Sequence, residues 1–94
     1  MDINKIKTYI GFSIRSGQVV YGLDNIMVCK KKIKLVVVSN SISENSLDKV
    51  KNVCEKKNLD MLLLSDSLEN ITKRNNCKVL GILNDELAKA IKNS

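Results

Sequence analysis

The chain has 94 residues, 44% of them hydrophobic, enough to fill the core of one domain and too few for two. Sixteen Lys and Arg against ten Asp and Glu give a net charge of +6, which draws a protein toward polyanions such as nucleic acid or acidic lipid. The longest apolar runs, LVVV at 35–38 and MLLL at 61–64, fall far short of the ~20 residues of a membrane span, and the polar opening lacks a signal peptide's apolar core, so a soluble, cytoplasmic protein with no membrane partner is expected.

In chain order, Asp2 stands where it can cap a helix reaching about Arg15, because Ile3, Ile6, Ile10 and Ile14 recur at helical spacing and give it one apolar face. Gly17 should stop it. Val19 to Tyr21 reads as a short strand, and Asp24 to about Lys31 as a second helix carrying Ile26, Met27 and Cys29. Leu35 to Val38 is wholly apolar and largely β-branched, the pattern of a central strand covered on both faces. Ser43 caps a third helix with Leu47, Val50 and either Val53 or Cys54 turned inward. Met61 to Leu64 is the next strand, Asp66 or Ser67 opens a short helix holding Leu68 and Ile71, and Cys77 to Leu83 is a fourth strand. Asn84 caps a last helix over Asp85 to Ile91, with Leu87, Ala88 and Ile91 at core spacing. No repeat or linker breaks this alternation, so the expectation is α/β: one domain over 1–94, a three-layer αβα sandwich with helices on both faces of a four-stranded mixed sheet.

Catalytic chemistry finds little footing. The chain has no His, which removes the usual proton shuttle near neutral pH, the Ser-His-Asp and Cys-His arrangements and HExxH. Its glycines, Gly11, Gly17, Gly22 and Gly81, form neither a P-loop nor a GxGxxG turn, so no nucleotide cradle or small-molecule substrate is expected. Cys29, Cys54 and Cys77 lie more than twenty residues apart, unlike a metal knuckle or a disulfide framework, and read as reduced core residues. No metal, no cofactor and no enzymatic activity are expected.

Three constellations remain. KKKIK at 30–34 puts four lysines in five positions; it suits either a phosphate track or a solvated helix end that complements the dipole. Lys73-Arg74-Asn75-Asn76 is a polar loop, either a second phosphate contact or plain surface. In IRSGQVVYGLDN, residues 14–25, Gly17 and Gly22 let the backbone approach a partner, and Asp24 and Asn25 sit in the first turn of a helix. Ordinary turn and cap chemistry favours the same residues.

The run IGFSIRSGQVVYGLDN, residues 10–25, resembles the signature LGLAxRAGKLVxGxxx of the ribosomal L-seven-Ae family, which groups with L-thirty-e proteins and small bacterial ylxQ-type relatives. Gly11, Arg15, Gly17 and Gly22 fall into it without a gap, and KLVVVS, SENSLDKVKNVCEKKNL, MLLLS and VLGILNDELAKAI follow the family's order over essentially the whole chain. The resemblance implies an RNA-binding fold for kinked helices, the kink-turns. Members carry Gly-x-Asn-Glu-x-x-Lys after the first strand: the glycine turn lets the helix start enter a widened groove, and the amide and carboxylate meet base edges. The matching positions read Gly22-Leu23-Asp24-Asn25-Ile26-Met27-Val28, with amide and carboxylate in swapped order and Val28 in place of lysine. Gln18 stands where many members have lysine. A second loop that packs on an extruded nucleotide corresponds to Ser65–Ile71, without its glycine and with Asp66 and Glu69 adding negative charge; Leu59-Asp60 replaces a proline, and Gly22–Lys34 is about two residues short.

The expected function is that of a monomeric, ribosomal-type RNA-binding protein whose partner is structured RNA. Its face would comprise Arg15, Gly17, Gln18, Gly22, Asp24, Asn25, Lys30, Lys31 and Lys32, with Ser67, Leu68, Asn70 and Ile71 as a second RNA loop. The alternative is a protein-interaction or ribosome-associated module that kept the scaffold and lost kink-turn recognition.

Overall fold

Asp2 opens the first helix: its carboxylate accepts from the amides of Asn4 and Lys5 at 3.1 and 3.2 Å, and α1 runs Ile3–Arg15. The structure, a computed structural model, describes residues 2–94; Met1, at the head of the polar opening segment, lies outside them. Ile6 and Ile10 on α1 are fully buried, as their spacing requires. Gly17, at φ +72, turns the chain into β1 (Val19–Tyr21), and α2 (Leu23–Val28) follows. Then come β2 (Leu35–Val38), α3 (Glu44–Lys57, with Ser43 accepting from the Ser46 amide), β3 (Met61–Leu63), α4 (Leu68–Thr72), β4 (Val79–Ile82) and α5 (Asp85–Lys92, with Asn84 accepting from the Leu87 amide).

The sheet order is β1-β4-β2-β3, with β4 antiparallel to both β1 and β2 and β3 parallel to β2. Because side chains alternate along a strand, the register divides the core in two. Leu35, Val37, Leu80 and Ile82 face Ile6 and Ile10 of α1, Leu68 of α4 and Ala88 and Ile91 of α5. Val36, Val38 and Val79 face Ile26 of α2 and Val50 and Cys54 of α3. All four residues of β2 are fully buried, so the four-stranded mixed αβα sandwich and its central strand are borne out. Each such Ile, Leu or Val contributes roughly 1.5–3 kcal/mol over its exposed state, against about 1 kcal/mol for a cap. Burial therefore decides the layers, and caps decide only where helices start.

The differences from expectation lie at element ends. Helix α2 stops at Val28, three residues before Lys31, because Cys29 is extended (φ −65, ψ 126) and a helical KKKIK would stack like charges one turn apart. Stopping there lets Ile33 fold back, 5% exposed, against Gly81, where an added Cβ would meet Ile26 and Ile33 at 3.4 Å. Met27 is exposed and Cys29 only half-buried, so neither is the core residue its helix suggested. Of the two candidates on α3 Cys54 is the buried one, Val53 being half-buried. Strand β3 ends at Leu63, and β4 begins at Val79 rather than Cys77. Among the described residues no helix is long and apolar enough to cross a membrane.

Candidate functional site

The start of α2 is placed by its neighbour strand. The Gly22 amide donates to the Val79 carbonyl at 3.0 Å, which sets the β1–α2 turn beside the beginning of β4. Gly22 adopts φ +83, ψ 153, a conformation that L side chains rarely reach. Asp24 and Asn25 are exposed, and the Asn25 side-chain amide donates to the Tyr21 carbonyl at 2.8 Å, which leaves its oxygen outward. The loop before β4 closes the other side: Lys73 and Asn76 take left-handed backbone conformations (φ 61 and 59), and the Arg74 guanidinium lies 3.8 Å from the centre of the Tyr21 ring. Tyr21, Asn25, Arg74, Asn75, Asn76 and Lys78 line an open cleft of about 430 Å³. Across Gly22 a smaller hollow of about 180 Å³ is lined by Leu23, Ser46, Lys49 and Lys78 among others.

Beneath this cleft a polar network ties the loops together. Glu69 accepts from Lys78 at 2.9 Å, from the Ser41 hydroxyl at 2.9 Å and from the Ser67 hydroxyl at 3.1 Å. Lys78 also donates to Ser41 at 2.8 Å, and fully buried Ser39 accepts from the Leu68 amide at 3.0 Å. Lys78 first, then the Ser41 hydroxyl, lower the Glu69 carboxyl from the usual 4.5 to about 2. Asp66 is held below its ordinary range by its hydrogen bond with Lys7, 2.6 Å away, and by the Ser67 amide. The negative charge that Asp66 and Glu69 add to this loop is thus neutralised within the chain. The residues of the expected second RNA loop part company here. Leu68 is fully buried and Ile71 half-buried against the α1 face of the core, Ser67 is engaged by Glu69, and Asn70 is exposed.

The remaining expected contacts lie at the opposite end of the sheet. The Gln18 carbonyl accepts from the Leu83 amide at 3.0 Å, and the Lys34 amide donates to Ile82 at 2.8 Å, so both flank the end of β4, whereas Gly22 flanks its beginning. The three residues of β1 lie between Gln18 and Gly22, four steps of extended chain that separate them by ~13 Å. Arg15, Gly17, Gln18, Lys30, Lys31 and Lys32 are all exposed, and Arg15 lies over the Phe12 ring of its own helix at 4.9 Å. The expected single face is therefore two: Gly22, Asp24 and Asn25 at one end, the arginine and lysines at the other. In place of the lysines, the structure brings Tyr21, Arg74, Asn75, Asn76 and Lys78 to the helix start. Lys73–Asn76 stands out in the sequence as a polar loop, but no local signal joins Arg74 to Tyr21, more than fifty residues earlier.

No group of three or more potential metal-ligating side chains exists among the described residues. Cys29, Cys54 and Cys77 are free thiols, and burial pushes that of Cys54 up. No protein-family model matches this chain, and no curated protein does either. Among solved structures it is similar to a protein of unknown function from Bacillus halodurans C, with a TM-score of 0.83 and 15% identity over 95% of this chain and 94% of that one. At that identity the likeness is one of fold, and it extends the αβα sandwich with its mixed sheet across both chains.

Proposed function

We propose that this chain is a non-catalytic RNA-binding protein of ribosomal-protein type, a cytoplasmic monomer that recognises kinked or otherwise structured RNA with the start of α2 and the loop before β4. The observation that carries this reading is the cleft in which exposed Asn25, the stacked Arg74–Tyr21 pair, Asn75, Asn76 and Lys78 meet beside Asp24. Sequence-specific contacts to RNA depend on unstacked bases, which kinks and loops supply. A carboxylate suits the donors of guanine, amides both donate and accept, and a planar guanidinium on an aromatic ring offers a stacking platform. The resemblance of residues 10–25 to the L-seven-Ae signature points the same way, and the pairing of Asp66 with Lys7 and Glu69 with Lys78 removes charge that would repel phosphate. Fluorescence-anisotropy titration of a kink-turn RNA and a straight duplex of equal length tests it. Tighter binding of the kinked RNA is expected, and equal or absent binding overturns the reading.

A second reading rests on Met27 and Val28, which stand 51% and 74% exposed side by side on α2. Large apolar groups there favour a protein-interaction module on the same scaffold. Val28→Lys separates the two readings: it strengthens kinked-RNA binding in the first and removes nuclease-resistant capture of a protein partner in the second.

A further inference from the structure

Lys30, Lys31, Lys32 and Lys34 lie beyond the end of α2, whose last turn itself holds no basic residue. Lys31, Lys32 and Lys34 converge instead with Lys57, from the last turn of α3, on an open cleft of about 510 Å³ at the end of the sheet where β1 and β2 begin. The two acids in its lining are already engaged, Asp60 with Lys92 at 2.8 Å and Asp85 with Lys89 at 3.1 Å. Lys31, Lys32 and Lys57 have no ion-pair partner among the described residues, and Lys34 acts on Asp85 only beyond ion-pair distance. Like charges gathered in a concavity repel one another and focus a positive field outward. A polyanion entering the cleft relieves that repulsion and releases its own counterions.

We propose that this cleft is a second RNA site, gripping a phosphodiester backbone by charge alone while the Gly22 end reads shape and base edges. The inference rests on the reading that the partner is RNA. The two sites lie at opposite ends of the same strands, so an RNA held at both spans the length of β4.

The test is the salt dependence of RNA binding by the full chain carrying Lys31→Ala, Lys32→Ala and Lys57→Ala, all at exposed positions. Each lost phosphate contact lowers the slope of log affinity against log salt by ~0.7–0.9, so a total loss of about 2–3 is expected on kinked and straight RNA alike. The ratio of the two affinities stays constant. Asn25→Ala with Arg74→Ala gives the converse, a changed ratio with the lysine-dependent part of the slope retained. Should circular dichroism show the triple variant unfolded, Lys57→Glu alone is measured and carries the same expectation of a reduced slope. An unchanged slope and affinity overturns the second site. So does binding to phosphatidylserine vesicles that the triple variant loses while its RNA slope stays intact, which assigns the cleft to a lipid surface. If wild type binds kinked and straight RNA equally, recognition at the Gly22 end fails while the lysine slope still decides the second site; if neither RNA binds, both fail.

Discussion

Where β4 begins, Lys78 is held by Glu69 at 2.9 Å and by Ser41 at 2.8 Å, and Arg74 lies 3.8 Å over Tyr21. Where β4 ends, Lys31, Lys32, Lys34 and Lys57 face a cleft whose two acids are paired with Lys92, at its rim, and with Lys89. At the first end Lys78 is fixed by an ion pair and Arg74 by the Tyr21 ring; at the second, Lys31, Lys32 and Lys57 make no ion pair among the described residues. In RNA recognition, contacts to phosphate position and contacts to bases specify, and the first task needs only charge whereas the second needs fixed shape. The proposed roles divide the two ends along that line, and a face read along the chain, from residues 15 to 32, merges sites that the sheet keeps apart.

The two ends keep their separation only if the sheet between them is rigid, and Val37 tests that most severely. It is fully buried at the centre of β2, turned to the α1, α4 and α5 face, with Val36 and Val38 turned to the other. Val37→Asp leaves an unpaired charge in that core and is expected to cost about 4 kcal/mol or more, measured as a fall in the denaturant midpoint. Both proposed RNA contacts are then expected to be lost together. A midpoint like that of wild type would mean that β2 is not the covered central strand.

The next effect in size separates the ends. Asp24→Ala or Asn25→Ala is expected to weaken binding to a kinked RNA by about 1–3 kcal/mol and to leave a straight duplex nearly unaffected. Combined with the lysine substitutions of the far cleft, the losses are expected to add to within about 0.5 kcal/mol, because sites more than ~10 Å apart with no shared partner act independently. A coupling energy beyond that in the double-mutant cycle would show the two ends to be one face.

Much of this layout was legible because short-range chemistry dictated it. Asp2, Ser43 and Asn84 capped the helices that they were expected to cap, and a four-residue apolar run left β2 no place but the centre. Helix α2 misled because Met27 and Cys29 continue the apolar pattern of Ile26, while the early stop goes with Ile33 returning to Gly81, residues 48 positions apart that no local pattern connects. The site was only half legible for the same reason. Gly22, Asp24 and Asn25 announce a turn and a helix start, but whether Lys30–Lys32 or Arg74–Lys78 stands beside them depends on strand order, and β4 lies between β1 and β2. Leu68 and Ile71 show the reverse limit: apolar residues near a polar loop suit a nucleotide or a core equally well, and only the packing of α4 on α1 assigns them to the core.

The smallest expected effect concerns the network that holds the first end. Glu69 has its folded-state carboxyl lowered from 4.5 to about 2, chiefly by Lys78 and then by Ser41. A lowered folded value means that the ionised form is favoured by folding, so this contribution is fully present above 4.5 and is lost as pH falls toward about 2. The Glu69 and Lys78 side chains are 25% and 33% exposed, and solvent screening keeps the stabilisation modest. Glu69→Gln keeps the size and can still accept from Ser41 and Ser67, but loses the charge opposite Lys78. Its thermal midpoint should therefore lie below that of wild type near neutral pH, with the gap closing as pH falls through that window; a gap that stays constant with pH would show that Glu69 acts by packing and hydrogen bonding alone. Because Lys78 lines the cleft beside Gly22, releasing it also leaves that cation free to move, and the variant's preference for kinked over straight RNA should shrink slightly, whereas the far lysines, untouched by Glu69, keep their salt slope.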